Sequence, residues 1–224
     1  VAYRQGSYEA ENFLNLLYQG LGVTPDPHWC QWLRLDIPEP AVRPVPLQAF
    51  DRSNTVSVSL SASIAQRRLP VRVLSEVVMR LFATGLRVVL IGGAHEQRYA
   101  RAIERMVGVR PGFLSLVGRT DLRQTAWVLK QSACCLGFDS GIIHLAMLAG
   151  VPTVSLFGPG RSEKWAPQGQ FHRVVKAALA CSPCTSFSYT PFCSDNRCMQ
   201  SLSVSSITDA VADVVRLSAR EIQR

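Results

Sequence analysis

Lysine is nearly absent from this sequence. It occurs only at Lys130, Lys164 and Lys176, so arginine supplies almost all of the 24 basic residues behind a formal net charge of +8. No run of five basic residues occurs, and the aromatics are not interleaved with the arginines. That pattern argues against a nucleic-acid-binding surface. It leaves a solvated basic face, or attraction to a nucleotide, a phosphorylated acceptor or an anionic membrane. No apolar run is long enough to span a bilayer; the nearest one, residues 137–160, holds His144 and is broken by Gly150 and Pro152. There is no G-x-G-x-x-G and no Walker sequence, which removes support for a dinucleotide oxidoreductase or a P-loop enzyme. No fixed-period repeat and no low-complexity tract is present. The first residue is Val1 rather than Met, so the chain reads as a fragment or a processed product, and a signal peptide is neither indicated nor excluded.

What is there suffices for one good core, or for one domain and part of another: 224 residues, 47% of them hydrophobic. Residues 7–21 read as a helix capped by Ser7, with Phe13, Leu14, Leu17 and Leu21 on one face and Gly22 at its end. Pro25, Pro27, Pro38, Pro40, Pro44 and Pro46 then mark an extended connector. From Thr55 onward strands and helices alternate. "TVSVSL", "LRVVLI", "FLSLVG", "ACCLGF" and "PTVSLFG" read as strands. Helical stripes lie between them: one from Pro70 to Gly85, one on Ala100, Ile103 and Val107, and one from Thr120 or Asp121 to Leu129. A fourth runs from Ser140 to Gly150, and a last one through Ile207, Val211, Val214 and Val215 is capped by Ser205 or Ser206. This alternation predicts an α/β fold, a doubly wound, Rossmann-like parallel sheet with helices on both faces. Ligands of such sheets bind beyond the carboxyl ends of the strands.

That rule selects the candidate residues. Asp139, Ser140 and Gly141 form a strand-to-helix turn at the sheet edge, and His144 lies one helical turn on. The first amides of the helix and its dipole favour an anion, and Gly141 has no side chain to hold one away. The simpler reading is that Asp139 or Ser140 caps the helix and His144 fills the core. The loop after the first strand offers Ser61, Ser63, Arg67 and Arg68; a cation there can neutralise a leaving phosphate without a metal. "GGAHEQ" offers Gly92, Gly93 and Glu96, and a carboxylate at that place suits ribose hydroxyls. "GRTD" offers Arg119, Thr120 and Asp121.

Of the seven cysteines, Cys134 and Cys135 sit in an apolar strand and read as buried small hydrophobes. Cys181, Cys184, Cys193 and Cys198 form C-x-x-C, then C, then C. This is half of a tetrahedral zinc pattern without the tight second half. Disulfides and free structural thiols are the alternatives.

The order of these elements resembles the carboxyl half of the heptosyltransferase family, glycosyltransferase family nine. The family pattern is roughly D-[ST]-G-x-x-H-L-x-x-A-x-G-x-P-x-x-x-L-F-G-P. The sequence reads "DSGIIHLAMLAGVPTVSLFGP", with Leu148 where Ala is usual. "GLRVVLIGGAHEQ" resembles the family's strand and Gly-Gly-x-x-Glu turn, and "CSPCTSFSYTPFCSDNRCMQSLSVSSITDAV" its Cys-rich tail and last helix. The resemblance covers about Thr55 to the end. It implies a two-domain glycosyltransferase in which residues 51–224 are the nucleotide-sugar domain, with a Cys-rich segment at 181–198. Residues 1–50 would then be the tail of an amino-terminal domain plus a linker. Asp139, Ser140, Gly141 and His144 match the diphosphate and sugar loop, Glu96 the ribose-binding acid, and Thr120 a position lining the adenine pocket. Arg67-Arg68-Leu69-Pro70 stands where the family carries Lys-Arg-Trp-Pro, so Arg67 replaces a phosphate-binding Lys with a planar fork.

The implied donor is an ADP-sugar, ADP-heptose above others, and the implied acceptor is the lipopolysaccharide core. Transfer would proceed with inversion and without a catalytic cofactor, leaving structural Zn as the one metal expectation. The implied location is the cytoplasm, at the inner face of the inner membrane with peripheral membrane association. In the family the proposed aspartate base lies in the amino-terminal domain, which leaves the catalytic residue of this chain unassigned. A non-catalytic nucleotide-binding module and a basic RNA-binding or scaffold domain are the competing functions.

Overall fold

Short β-branched and apolar runs build the centre of the molecule. The computed structural model describes residues 8–14, 22, 35–45, 50–185 and 189–222. Among these, one sheet holds six strands: β1 (Thr55–Ser59), β2 (Arg87–Ile91), β3 (Phe113–Ser115), β4 (Cys134–Phe138), β5 (Thr153–Phe157) and β6 (His172–Lys176). The helices are α1 (Val71–Ala83), α2 (Gln97–Val107), α3 (Leu122–Lys130), α4 (Gly141–Leu148), α5 (Ser162–Trp165), α6 (Arg197–Gln200) and α7 (Val204–Ile222). Every strand pair is parallel, and the order across the sheet is β3-β2-β1-β4-β5-β6. This is the doubly wound, Rossmann-like order, reversing between β1 and β4.

Two cores explain why the strands are apolar almost throughout. Val88 and Leu90 face a core with Leu74 and Val78 of α1, Ile103 of α2 and Ile207 and Val211 of α7. Val89 and Ile91 face the other, with Val128 and Leu129 of α3 and Ile143 and Ala146 of α4. Successive residues of a strand point to opposite faces, so a sheet covered on both needs apolar residues at every position. Each fully buried Val, Leu or Ile contributes about 1.5–3 kcal/mol. Cys134 and Cys135 divide between the two cores in the same way, and burial pushes the Cys135 thiol up to about 12. Both are un-ionised packing residues.

β1 departs from this pattern for a packing reason. Thr55, Ser57 and Ser59 alternate with Val56 and Val58, yet all five are buried. Ser57 Oγ is hydrogen-bonded to Ser132 Oγ at 2.5 Å. A Cβ at Gly137 would lie 3.1 Å from Ser59 Cβ and 3.0 Å from Ile143 Cδ1. The space between β1, β4 and α4 therefore admits only small side chains, and α4 sits close against the sheet.

Several boundaries differ from those the sequence predicts. β3 ends at Ser115, because residues 116–118 turn and Gly118 takes φ +71°. β6 was not predicted; its burial is mixed and Val174 is exposed, so it lacks the apolar run of its neighbours. The last helix begins at Val204, and Ser203, rather than Ser205 or Ser206, caps it by accepting from Ser206 N at 3.1 Å. Pro70 is the residue before α1 and not within its first turn. Asp121, not Thr120, caps α3, in a reciprocal capping box with Gln124.

Upstream, residues 9–14 are helical. The remainder of the predicted 7–21 helix, with Ser7, Leu17 and Leu21, lies outside the described residues, as do Pro25, Pro27 and Pro46. The connector is fastened to the back of the sheet. Leu35 N donates to Leu148 O at 2.8 Å, Gln124 Nε2 donates to Val42 O at 3.0 Å, and Phe50 meets Trp127 edge-on. Ile37 is buried.

Candidate functional site

The connections from β1 and β4 leave the sheet on opposite faces, α1 toward one core and α4 toward the other. A crevice opens between them at the carboxyl ends of the strands. A cavity of about 500 Å³ occupies it. Ser61, Ala62, Ser63 and Arg67 line it from the loop after β1, and Glu96 from the loop after β2. Asp139, Ser140, Gly141 and His144 line it from the β4–α4 turn, and Trp165 and Thr185 complete the wall.

The β4–α4 turn is an open helix start. Ser140 is the N-cap residue with extended φ and ψ, but its side chain makes no cap hydrogen bond, and Ser140 Oγ is buried without a partner. The capping reading of this turn therefore does not hold for the hydroxyl. Of the first amides of α4, Ile143 N donates to Ser140 O at 3.2 Å; amides at a helix start otherwise lack intrahelical partners. A Cβ at Gly141 would meet nothing within 4 Å, so the space beside these amides is clear.

Two ion pairs frame the cleft. Arg67 Nη1 stands 3.2 Å from Asp139 Oδ2 and donates to Ser63 Oγ at 3.2 Å and Asp139 O at 3.4 Å. The Arg67–carboxylate contact has ion-pair distance without hydrogen-bond alignment, which is why Asp139 Oδ2 has no hydrogen-bond partner. Arg67 Nε is also buried and unpartnered. Arg68 Nη2 donates to Glu96 Oε1 at 2.7 Å, and Glu96 Oε2 accepts from Gly93 N at 2.9 Å. Arg68 lies over the Tyr99 ring at 5.8 Å, and Tyr99 O–H donates to Leu69 O at 2.6 Å. Gly160, in the turn after β5, closes over the carboxylate; a Cβ there would collide with Asp139 Oδ2.

Burial sets the protonation of the turn. It raises the Asp139 carboxyl above its ordinary value, against the opposing effect of Arg67 and then His144. It lowers the His144 imidazole, against the opposing effect of Asp139. His144 is therefore neutral at pH 7, with one N–H to donate. Together the turn offers backbone amides, an arginine and a neutral imidazole around one space. That set can hold an anion and hydrogen-bond a sugar.

Of the residues selected from sequence, Ser63, Arg67, Glu96, Asp139, Ser140, Gly141 and His144 converge on this cavity. Gly93 stands behind it and fixes Glu96. Thr120 does not line it; its hydroxyl is hydrogen-bonded to that of Thr125 at 2.9 Å. Trp165 and Thr185 were not foreseen. Trp165 ends a four-residue helix with no periodicity to read, and Thr185 is brought in by a loop whose amides at Cys184 and Thr185 donate to Pro159 O. The signal that could have found Trp165 is its place just beyond a parallel strand's carboxyl end.

The four segment cysteines, Cys181, Cys184, Cys193 and Cys198, line a second, smaller cavity of about 260 Å³. Burial raises the Cys184 and Cys198 thiols, and the neighbouring thiols add to the rise. Among the described residues, no three His, Cys, Asp or Glu side chains stand at the spacing that holds a metal ion. This cavity lies beside the first: Gln66 and Cys184 line it, and their chain neighbours Arg67 and Thr185 line the first. Asn196 Nδ2 donates to Arg68 O at 3.2 Å.

The fold and cleft define a Rossmann-like α/β domain with a polar pocket at its switch point. A family model described as glycosyltransferase family 9 (heptosyltransferase) matches residues 13–190. The chain belongs to that family, and its membership places it among the transferases. A search of curated proteins finds no match. Solved structures similar in fold include glycosyl transferase family 9 from Veillonella parvula, 17% identical with a TM-score of 0.74; 96% of this chain covers 62% of that one. E. coli heptosyltransferase WaaC with ADP is 16% identical at TM-score 0.67, with coverage of 96% and 59%. E. coli ADP-heptose lps heptosyltransferase II is 19% identical at TM-score 0.63, with coverage of 75% and 48%. The chain thus spans about half to three-fifths of the length of these structures.

The His144 shift has a consequence for stability. Its folded value is lowered, so in acid the unfolded chain binds the proton first. The stability it contributes is present above about pH 6.5 and is lost as the pH falls below that value. Asp139, raised, acts in the opposite sense at lower pH. Urea denaturation of His144→Gln is expected to lose less stability than the wild type between about pH 7 and pH 5. Parallel pH profiles would contradict the burial of a neutral imidazole.

Proposed function

We propose that this chain holds the nucleotide-sugar donor of a heptosyl transfer. The donor is an ADP-sugar, its sugar heptose by the family's name, and the acceptor is the lipopolysaccharide core. The observation that carries the reading is the convergence of Arg67, His144 and the open start of α4 on one cleft at the switch point. The diphosphate lies against the amides at Gly141, where the helix dipole and Arg67 stabilise its charge. His144 donates one hydrogen bond to it. Glu96, held by Arg68 and Gly93 N, accepts from the ribose hydroxyls. Asp139 and Trp165 face the sugar. Thr120, outside the cavity lining, belongs to the adenine end of this arrangement.

In the reaction an acceptor hydroxyl attacks the anomeric carbon from the face opposite ADP. The bond to the diphosphate oxygen breaks, ADP leaves with the electron pair, and the configuration inverts. Arg67 and the helix start stabilise the charge that develops on the leaving group, so no metal is required for this step. Asp139 and Glu96, the carboxylates of the cavity, both face arginines. Neither is assigned as the base. We place the acceptor, and the group that takes its proton, outside residues 51–224, with residues 1–50 as the tail and linker of the acceptor-binding domain. The transfer takes place in the cytoplasm, and the basic surface draws the protein to the inner face of the inner membrane. Among the described residues, no helix is long and apolar enough to cross a membrane.

Calorimetry with ADP and ADP-heptose tests this reading. Arg67→Ala and His144→Leu are each expected to weaken ADP binding by about 1.5–3 kcal/mol, the worth of a hydrogen bond to a charged group. Ser140→Ala is expected to cost little, because the amides carry the contact. The chain alone is expected to bind without transferring heptose. Wild-type affinity in both charged-contact variants, with folding intact, would remove the reading.

We further propose that Cys181, Cys184, Cys193 and Cys198 close on one structural Zn. Four soft ligands around one small cavity suit that ion, and metal binding displaces the proton from each thiol that it ligates. The side chains must draw together to reach it. Purified protein is then expected to contain about one zinc equivalent, lost with Cys184→Ser. Protein without metal and with all four thiols reactive would exclude the site.

A further inference from the structure

The carboxylate of Asp139 stands where the proposed diphosphate must come close. It is almost fully buried, it lies against the helix start that would receive the anion, and Gly160 packs so close that a Cβ there would collide with Oδ2. Among the described residues its paired cation is Arg67 at 3.2 Å, and that contact is not aligned as a hydrogen bond. His144 on α4 is the other titratable group acting on it. The remaining charges around the cleft are committed elsewhere. Arg68 pairs with Glu96 at 2.7 Å, Lys164 of α5 pairs with Glu9 at 3.2 Å, and Arg161 reaches Thr185 O and Glu163.

An incoming diphosphate competes for Arg67. Its oxygens are more numerous and can align with the guanidinium fork, as the single misaligned carboxylate oxygen does not. As Arg67 turns to the ligand, Asp139 Oδ2 loses its counter-charge and gains an anionic neighbour in a place of low dielectric. Two like charges in one desolvated site do not both stay ionised. We propose that the site takes up a proton from solvent when it binds a nucleoside diphosphate sugar, and that Asp139 carries it. The proton adds to Oδ2, the buried oxygen without a hydrogen-bond partner, and the neutral carboxyl becomes a donor to the diphosphate or to a sugar hydroxyl. No other bond forms or breaks. The proposal rests on the donor site described above. It turns Asp139 from an electrostatic obstacle into a positioning group whose charge changes with occupancy.

The sign of the pH dependence follows. The free site has Arg67 holding down the carboxyl, and the occupied site does not, so the complex binds the proton more tightly. Affinity is then greatest in mild acid and declines as the pH rises through the window between the two states, by up to tenfold per pH unit. His144 offers the same kind of response, because a bound anion favours imidazolium. The test therefore has to separate the two.

The probe is ADP-heptose, whose diphosphate is esterified at both ends and does not itself titrate near neutrality. Calorimetric titration in two buffers of different ionisation enthalpy, repeated from about pH 5 to pH 7.5, counts the protons taken up. Wild type and His144→Gln are expected to absorb a proton on binding, and Asp139→Asn none, with affinity that no longer depends on pH. Uptake that persists in Asp139→Asn and vanishes in His144→Gln would overturn the assignment. Binding without uptake in the wild type would overturn the proposal while leaving the donor site intact. Failure to bind ADP-heptose at any pH would remove the donor reading and this one with it. If Asp139→Asn folds but does not bind, the proton count in wild type against His144→Gln decides.

Discussion

One constraint governs the arrangement of this molecule: neighbouring strands β1 and β4 send their chains to opposite faces of the sheet. The reversal follows from the strand order and opens a crevice at the carboxyl edge between them. Glu96 and Asp139, buried near that edge, face the resulting crevice. Ser59 and Gly137, small because α4 packs tightly on β1 and β4, bring the start of α4 to the rim. A bulkier residue at either place would push α4 away and move the amides at Gly141 with it.

The crevice is charged but nearly self-neutralised. Arg67 with Asp139 and Arg68 with Glu96 pair across loops that follow different strands, so each pair also ties two loops together. Partly desolvated pairs of this kind contribute little net stability, because separation from water offsets their attraction. Their value lies in position. Arg68 is held by Glu96, by Ala62 O and by the Tyr99 ring, with its Nε buried without a partner, and serves as a brace. Arg67 is held less firmly: its hydrogen bonds to Ser63 Oγ and Asp139 O are 3.2 and 3.4 Å long, and its carboxylate contact is not aligned as a hydrogen bond. The two adjacent arginines thus divide between a structural and a ligand-facing task. The Cys-rich segment reaches the same brace through Asn196, so order in that segment bears on the Glu96 wall.

Much of this was legible in the sequence. Apolar β-branched runs between amphipathic helices announce a sheet covered on both faces, and turn residues at its carboxyl edge announce the site. Asp139 to His144 could be placed because a strand and a helix of clear period flank them. What escaped was set by tertiary context. β6 is a mixed-burial strand at the sheet edge, where apolar alternation is not demanded. Trp165 and Thr185 come from irregular segments that carry no period. Gly160 is one of several turn glycines in sequence, and only the position of Asp139 reveals why a side chain fails there. The alternative reading of Ser140 as a side-chain cap does not hold, because an N-cap residue can adopt the right backbone while its hydroxyl makes no cap bond.

The location of the anion is the central claim, and a crystal structure of this chain with ADP tests it most directly. The diphosphate is expected within hydrogen-bond distance of the backbone amides that begin α4. Arg67 should have turned toward it from Asp139, and the ribose should lie toward Glu96. Density for ADP at another edge of the sheet, or in this cleft with its diphosphate away from Gly141 and Arg67, would contradict the account.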